Sequence, residues 1–186
     1  MHTHAKFFNM TVEEYLKLDL QSVIRYEYID GQVYPMLGDS EKLRIITSNL
    51  LIKLRSHVGG SECRVCSSDV KLRIESLNIF YHPEISVTCD PQDRDKLFKT
   101  RPRLIIEVIS PSTERLDRIE KQINYRQLKS LQEYVLVSES EIKVDVYRKY
   151  NQENWVLQTL SAGDILVLTS VDLQINVLEI YEDIDF

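Results

Sequence analysis

At 186 residues, 43% of them hydrophobic and 28% charged, the chain has the size and composition of one globular domain (1–186) with a substantial core. A formal net charge of −6 argues against a protein that coats a polyanion, so any nucleic-acid contact would have to come from a local basic patch. No apolar run reaches the length of a membrane span and the start, MHTHAKFF, lacks the apolar centre of a signal peptide, which reads as a cytoplasmic protein with no membrane partner.

In chain order, Thr11 followed by Glu14 predicts a capped short helix. Val23 to Ile29 and Gln32 to Met36 read as two strands joined by the turn pair Asp30-Gly31. Asp39-Ser40 opens a longer helix through about His57, with Leu43, Ile46, Leu50 and Leu54 on its apolar face and Gly59-Gly60 ending it. Strands are expected at about Cys63 to Ile74, broken near Ser67-Ser68, and at Ile79 to Val87. A charged loop without periodicity follows, DPQDRDKLFKTRP. Lys143 to Arg148 and Asn154 to Leu160 form a hairpin around Asn151-Gln152, and Ile165 to Leu168 is the last expected strand.

The three cysteines suggest no disulfide framework. Cys63 and Cys66 form a CxxC within an apparent strand, where residues three apart point to opposite faces, and no second CxxC completes a zinc site. They read as small apolar strand residues, and Cys89 adds nothing. Of the histidines, His57 ends a helix and His82 lies in a strand, with no HExxH or triad arrangement.

The informative stretch is Arg103 to Val137. Leu104 to Ile109 is a β-branched apolar run typical of a strand buried on both faces, interrupted by Glu107. Pro111, Ser112 and Thr113 turn the chain, and a helix over about 114–129 follows, with Leu116, Ile119 and Ile123 on one stripe and Lys121 on its flank. The next strand, Glu133 to Ser138, completes a βαβ unit, so the two strands should be parallel. The whole reads as an α/β fold: a central mixed sheet flanked by helices, with an antiparallel hairpin extension.

Alternation in Ile79–Val87 puts Glu84 with His82 and Ser86 on the polar side of a half-buried strand. Taken singly, Glu84 reads as a solvated strand residue, Glu107 as the partner of Lys121 or Arg103, and Lys121 as ordinary helix surface. Taken together, two carboxylates and an ammonium can hold a hard divalent ion, orient water and stabilise the charge of a phosphorane.

The segments RYEYIDGQVY, YHPEISVTCDP, LIIEVISPSTERLDRIEKQINYRQL and LQEYVLVS together resemble the Uma family of restriction-endonuclease-like proteins, within the PD-(D/E)xK nuclease superfamily. The resemblance extends from TVEEYLKL to the tail and implies a restriction-endonuclease-like core. In that family one strand carries Pro-Asp, the next Glu-x-Val, and the lysine has moved onto the following helix. Pro83-Glu84, Glu107 and Lys121 occupy those places, and Glu27 that of an N-terminal acidic residue. Two departures stand out: Pro-Asp has become Pro-Glu, and EKLRIITSN lacks the histidine common in relatives near the start of the long helix.

The resemblance implies that Glu84, Glu107 and the carbonyl of Val108 hold one or two Mg²⁺ or Mn²⁺ ions, with Glu27 at the edge and Lys121 facing the attacking water or the phosphorane. The partner it implies is nucleic acid, with DNA favoured. Arg115, Arg118, Arg126, Lys96, Lys99 and Arg101 are candidate phosphate contacts, interleaved with acidic residues as in a solvated mixed face. Two other readings compete with catalysis. One is a catalytically degenerate member that binds nucleic acid or protein; the other is a homodimer joined through the hairpin carrying Tyr147, Trp155 and Leu157.

Overall fold

The computed structural model describes residues 6–7, 9–36, 38, 40–111, 116–151 and 154–186. Thr11 begins α1 (Val12–Gln21) with the expected reciprocal cap. Its hydroxyl accepts from the Glu14 N–H at 3.2 Å, and the Glu14 carboxylate accepts from the Thr11 N–H at 2.8 Å. β1 (Tyr26–Ile29) and β2 (Gln32–Pro35) form the hairpin, starting three residues later than the apolar run suggested. Asp30 (φ 44°) and Gly31 (φ 86°) both take the left-handed backbone that a tight two-residue turn needs. Ser40 caps α2 (Glu41–Val58); Asp39, the other residue of the expected start, lies outside the described residues.

The next two expected strands each divide between two sheets. Cys63 to Ile74 becomes β3 (Arg64–Ser67) and β4 (Lys71–Ile74), and Ile79 to Val87 becomes β5 (Ile79–Tyr81) and β6 (Ile85–Thr88). The second break falls at His82-Pro83-Glu84, where proline has no N–H to give a ladder. Ile79 and Tyr81 therefore pack in one core and Ile85 and Val87 in another, instead of on one face of a continuous strand. The charged loop contains a strand not foreseen, β7 (Phe98–Lys99), parallel to β4.

β8 (Pro102–Ile109) and β9 (Glu133–Ser138) are parallel, with Glu107 opposite Leu136, as the βαβ reading requires. Residues 112–115 of the connection lie outside the described residues. Its helix is shorter than expected: one π-helical stretch, Leu116–Lys121, running into a single α-turn, α3 (Gln122–Tyr125). The expected stripe is also inverted at Ile119 and Ile123; the side chain of its third member, Leu116, lies outside the described residues. Ile119 and Ile123 are 52% and 55% exposed, while Asp117, Lys121 and Tyr125 face inward. β10 (Lys143–Lys149) and β11 (Trp155–Ser161) form the hairpin extension, with Gln152 of its turn outside the described residues. β12 (Ile165–Leu168) pairs with an unforeseen β13 (Leu173–Asn176), followed by the short α4 (Val177–Ile180).

Two sheets stack. One has the order β2-β1-β5-β4-β7 and the other β11-β10-β9-β8-β6-β3. Leu43, Ile46, Leu50 and Leu54 of α2 cover one face of the six-stranded sheet at Ile85, Val87, Leu104, Ile106 and Val108. The opposite face, at Ile105, Ile109, Tyr134 and Leu136, meets Leu72, Ile74, Ile79 and Tyr81 of the five-stranded sheet. Tyr15 of α1 closes the outer side of that second sheet against Tyr26, Tyr28 and Phe80.

Cys63 and Cys89 form a disulfide, against the expectation of none; their Cα atoms are 4.0 Å apart. The β3–β6 register, Arg64 opposite Thr88, makes the two cysteines the next facing pair beyond the ladder. Cys66 is a free, buried thiol.

Candidate active site

Strand pleating determines which side chains meet between the sheets. On β8, Leu104, Ile106 and Val108 turn to α2, so Glu107 must turn to the five-stranded sheet. On β1, Tyr26 and Tyr28 turn to α1, so Glu27 must turn back toward β8. The inward side of the crossover segment adds Asp117, Lys121 and Tyr125.

Lys121 Nζ lies at the centre of the group. It is 3.1 Å from Glu27 Oε1, 3.2 Å from Glu107 Oε1 and 3.3 Å from Asp117 Oδ1, and every one of these side chains is buried. The phenol of Tyr125 donates to Glu107 Oε1 at 2.9 Å, and the backbone N–H of Glu84 donates to Glu107 Oε2 at 3.1 Å. Tyr81 presents its ring to the ammonium at 5.4 Å and receives the amide of Asn124 on its hydroxyl at 2.8 Å. Tyr134 donates to the carbonyl of Asp117 at 3.0 Å, tying the π-helical stretch to β9.

The sequence-predicted residues Glu27, Glu107 and Lys121 thus come into direct contact. Glu84 adjoins them through its backbone; its side chain is buried at the crossover between sheets rather than on the polar side of a half-buried strand. Val108 directly follows Glu107, with its side chain in the core against α2. Arg103, the other candidate partner of Glu107, instead reaches the carbonyl of Ser170. Asp117, Tyr125 and Tyr81 escaped the sequence reading. The spacing Asp117–Lys121–Tyr125, four residues at each step, is the signal that could have exposed them as one helical face.

Burial drives Glu107 upward to about 7, a shift opposed by Lys121 and by the Glu84 N–H and reinforced by the charges of Asp117 and Glu27. Burial pulls Lys121 the other way, but Glu107, Glu27 and Asp117 outweigh it and hold the ammonium well above the ordinary lysine range. Tyr125 is pushed up by burial and by the neighbouring Glu107, so it stays a hydrogen-bond donor. Glu133, buried on β9, is a useful contrast. It accepts from the backbone N–H groups and hydroxyls of Thr169 and Ser170 and from Arg148, the environment of a structural carboxylate. Glu107 is instead packed among other acids around one cation.

Three carboxylates about one ammonium leave a surplus of negative charge, and Glu84 lies beside them. Among the described residues, no three Asp, Glu, His or Cys side chains converge on a point where an ion could sit. The donor chemistry nevertheless suits Mg²⁺, which takes hard oxygens, usually only one or two carboxylates, and retains several waters. Glu107 has about four acceptor positions, and the three observed donors leave room for another bond.

The candidate phosphate contacts fare unevenly. Arg118 pairs with buried Asp145, Arg101 with Asp90, and Arg126 lies against the rings of Tyr147 and Trp155. Lys99 is buried and donates to the carbonyl of Asp95. Lys96 is exposed, and Arg115 lies outside the described residues.

The sequence and the fold have counterparts among known proteins. The model of the Uma2 family, described as "Putative restriction endonuclease", matches residues 12–178. An uncharacterized protein of Synechocystis sp. is 37% identical over 183 residues, covering 98% of this chain and 96% of its own length. A second uncharacterized Synechocystis protein is 30% identical over 154 residues, covering 81% and 87%. A solved structure described as a putative nuclease belonging to DUF820, from Anabaena variabilis, shares the fold with a TM-score of 0.76 at 19% identity, over 92% of this chain and 97% of that one.

Proposed function

The chain belongs to the Uma2 family, described as putative restriction endonucleases, and from that premise we propose that it is a metal-dependent nuclease hydrolysing phosphodiester bonds, with DNA as the first substrate to test. The observation that carries this reading is the buried ammonium of Lys121 among Glu107, Glu27 and Asp117, next to the backbone of Glu84. A carboxylate buried among other acids with a strongly raised pKa, as Glu107 is, is a functional-site signal.

Glu84, Glu107 and the Val108 carbonyl are the proposed ligands of one or two Mg²⁺ or Mn²⁺ ions. When bound, the metal lowers the pKa of water and neutralises charge on the phosphate. The protein's own residues set the stage. Tyr125 and the Glu84 N–H fix both oxygens of Glu107 and so its orientation. Lys121, kept cationic by its neighbours, stabilises negative charge on the attacking oxygen or the pentavalent phosphorus, and Glu27 holds that ammonium from the side of the second sheet. The test is cleavage of single- and double-stranded DNA and RNA with Mn²⁺ or Mg²⁺. The wild type should cut, Glu107→Gln and Lys121→Ala should lose most activity, and Glu84→Asp should keep or raise it. If neither wild type nor Glu84→Asp cuts any form with either metal, the catalytic reading fails.

A second reading is favoured by one observation. β11 is the free edge of the six-stranded sheet, and Val156 and Leu157 on it are 56% and 51% exposed. A catalytically silent homodimer paired edge to edge would cover them. Light scattering tests this: Leu157→Lys should turn a dimer into a monomer, and a wild type that is already monomeric excludes it.

A further inference from the structure

Away from the buried cluster, a groove of about 580 Å³ opens between the C-terminal end of α2, the edge strand β3 and the loop before β7. It is lined by Arg55, Arg64, Arg94, Lys96 and Lys99, with Asp95 as its one acidic side chain. That carboxylate is already taken up, accepting from the backbone N–H groups of Leu97 and Phe98 at 2.8 and 3.3 Å. Arg55, Arg64 and Lys96 are exposed and make no ion pair among the described residues. A chain of net charge −6 thus gathers five cations in one concavity, where field focusing makes them count for more than on a convex surface.

The groove and the cluster share the six-stranded sheet. Arg64 on the groove wall faces Thr88 of β6, which faces Pro102 of β8, and Glu107 lies five residues further along that strand. With strands about 4.8 Å apart and about 3.3 Å of rise per residue, Arg64 and Glu107 are separated by about 19 Å, on the order of five or six base pairs at 3.4 Å of rise each. The disulfide Cys63–Cys89 fastens β3, the strand that carries Arg64, to its neighbour.

We propose that this groove binds the sugar–phosphate backbone of a nucleic-acid strand several nucleotides from the bond presented to Glu107 and Lys121. The proposal rests on the nuclease reading for its choice of polyanion. The groups of Arg55, Arg64 and Lys96 suit a run of phosphates, and among the described residues no aromatic side chain lines the groove; its apolar lining, Val58, Val65 and Val70, offers no ring on which a base could stack. Binding here is therefore indifferent to sequence and sensitive to salt.

The test uses full-length protein, without divalent metal, and a fluorescent 20-nucleotide DNA in single- and double-stranded form, with affinity followed by anisotropy from low to high salt. Wild type and Lys17→Ala, an exposed charge removed from α1 on another part of the surface, should bind alike. Arg55→Ala/Arg64→Ala/Lys96→Ala should bind at least tenfold more weakly, with a salt slope shallower by about three, one per lost phosphate contact. Thermal melting confirms that these exposed substitutions leave the fold intact. Equal affinity and slope in wild type and triple variant would overturn the groove even if the protein cleaves DNA, as would a wild type that binds neither form. The predicted loss in the triple variant, found in a protein that cleaves nothing with Mg²⁺ or Mn²⁺, would support the groove and remove the nuclease reading instead.

Discussion

Lys121 Nζ and Glu107 Oε1 meet at 3.2 Å, both buried, although one residue belongs to a central strand and the other to the segment that leaves it. Neither charge is tolerable there without the other. Lys121→Ala strands three carboxylates in the interior and should cost about 3–5 kcal/mol. Urea unfolding at pH 7 measures it. The loss should shrink at pH 5, where the folded protein already carries a proton on Glu107.

The same carboxyl makes stability pH-dependent. Its folded pKa of about 7 lies above the ordinary 4.5, so between those values the folded state holds a proton that the unfolded state has released. Stability from this group is therefore greatest below pH 4.5 and falls as pH rises toward 7, by on the order of 3 kcal/mol. Thermal melts of the metal-free protein across that window should show the decline, and Glu107→Gln should flatten it.

Tyr125→Phe removes one donor from Glu107 and nothing else of size. A hydrogen bond to a charged group contributes about 1.5–3 kcal/mol, so a loss in that range is expected at pH 8 and less at pH 5. If melting temperatures fall equally at both pH values, the phenol matters through packing alone.

The Cys63–Cys89 bridge closes a loop with a sequence separation of 26, which corresponds to about 3.5 kcal/mol of chain entropy. Reduction, or Cys63→Ser/Cys89→Ser, should lower stability by up to that amount. Under non-reducing conditions a thiol reagent should find Cys66 as the sole reactive cysteine, and only after unfolding exposes it.

Local chemistry was legible in the sequence: the Thr11–Glu14 cap, the Asp30-Gly31 turn and the parallel strands around Glu107 each follow from neighbours in the chain. Long-range pairing was not. The Cys63–Cys89 bridge depends on the register of β3 on β6, and a CxxC spacing within one strand draws the eye to Cys66 instead. The alternation through Ile79–Val87 survives Pro83 on paper, yet the proline ends one sheet and begins another. The crossover helix misled for a different reason. Ile119 and Ile123 mark an apolar stripe, but the interior it faces holds carboxylates, and a lysine gains more from them than an isoleucine does.

The π-helical turn at Leu116–Lys121 makes the site depend on chain length as well as composition. Asp117 and Lys121, four residues apart, share its inward face. Each residue of a helix turns the chain by about 100°, so deleting even an outward one such as Ile119 would swing either the acid or the amine out of the interior. The outer surface of this segment can change its letters freely; it cannot change how many there are.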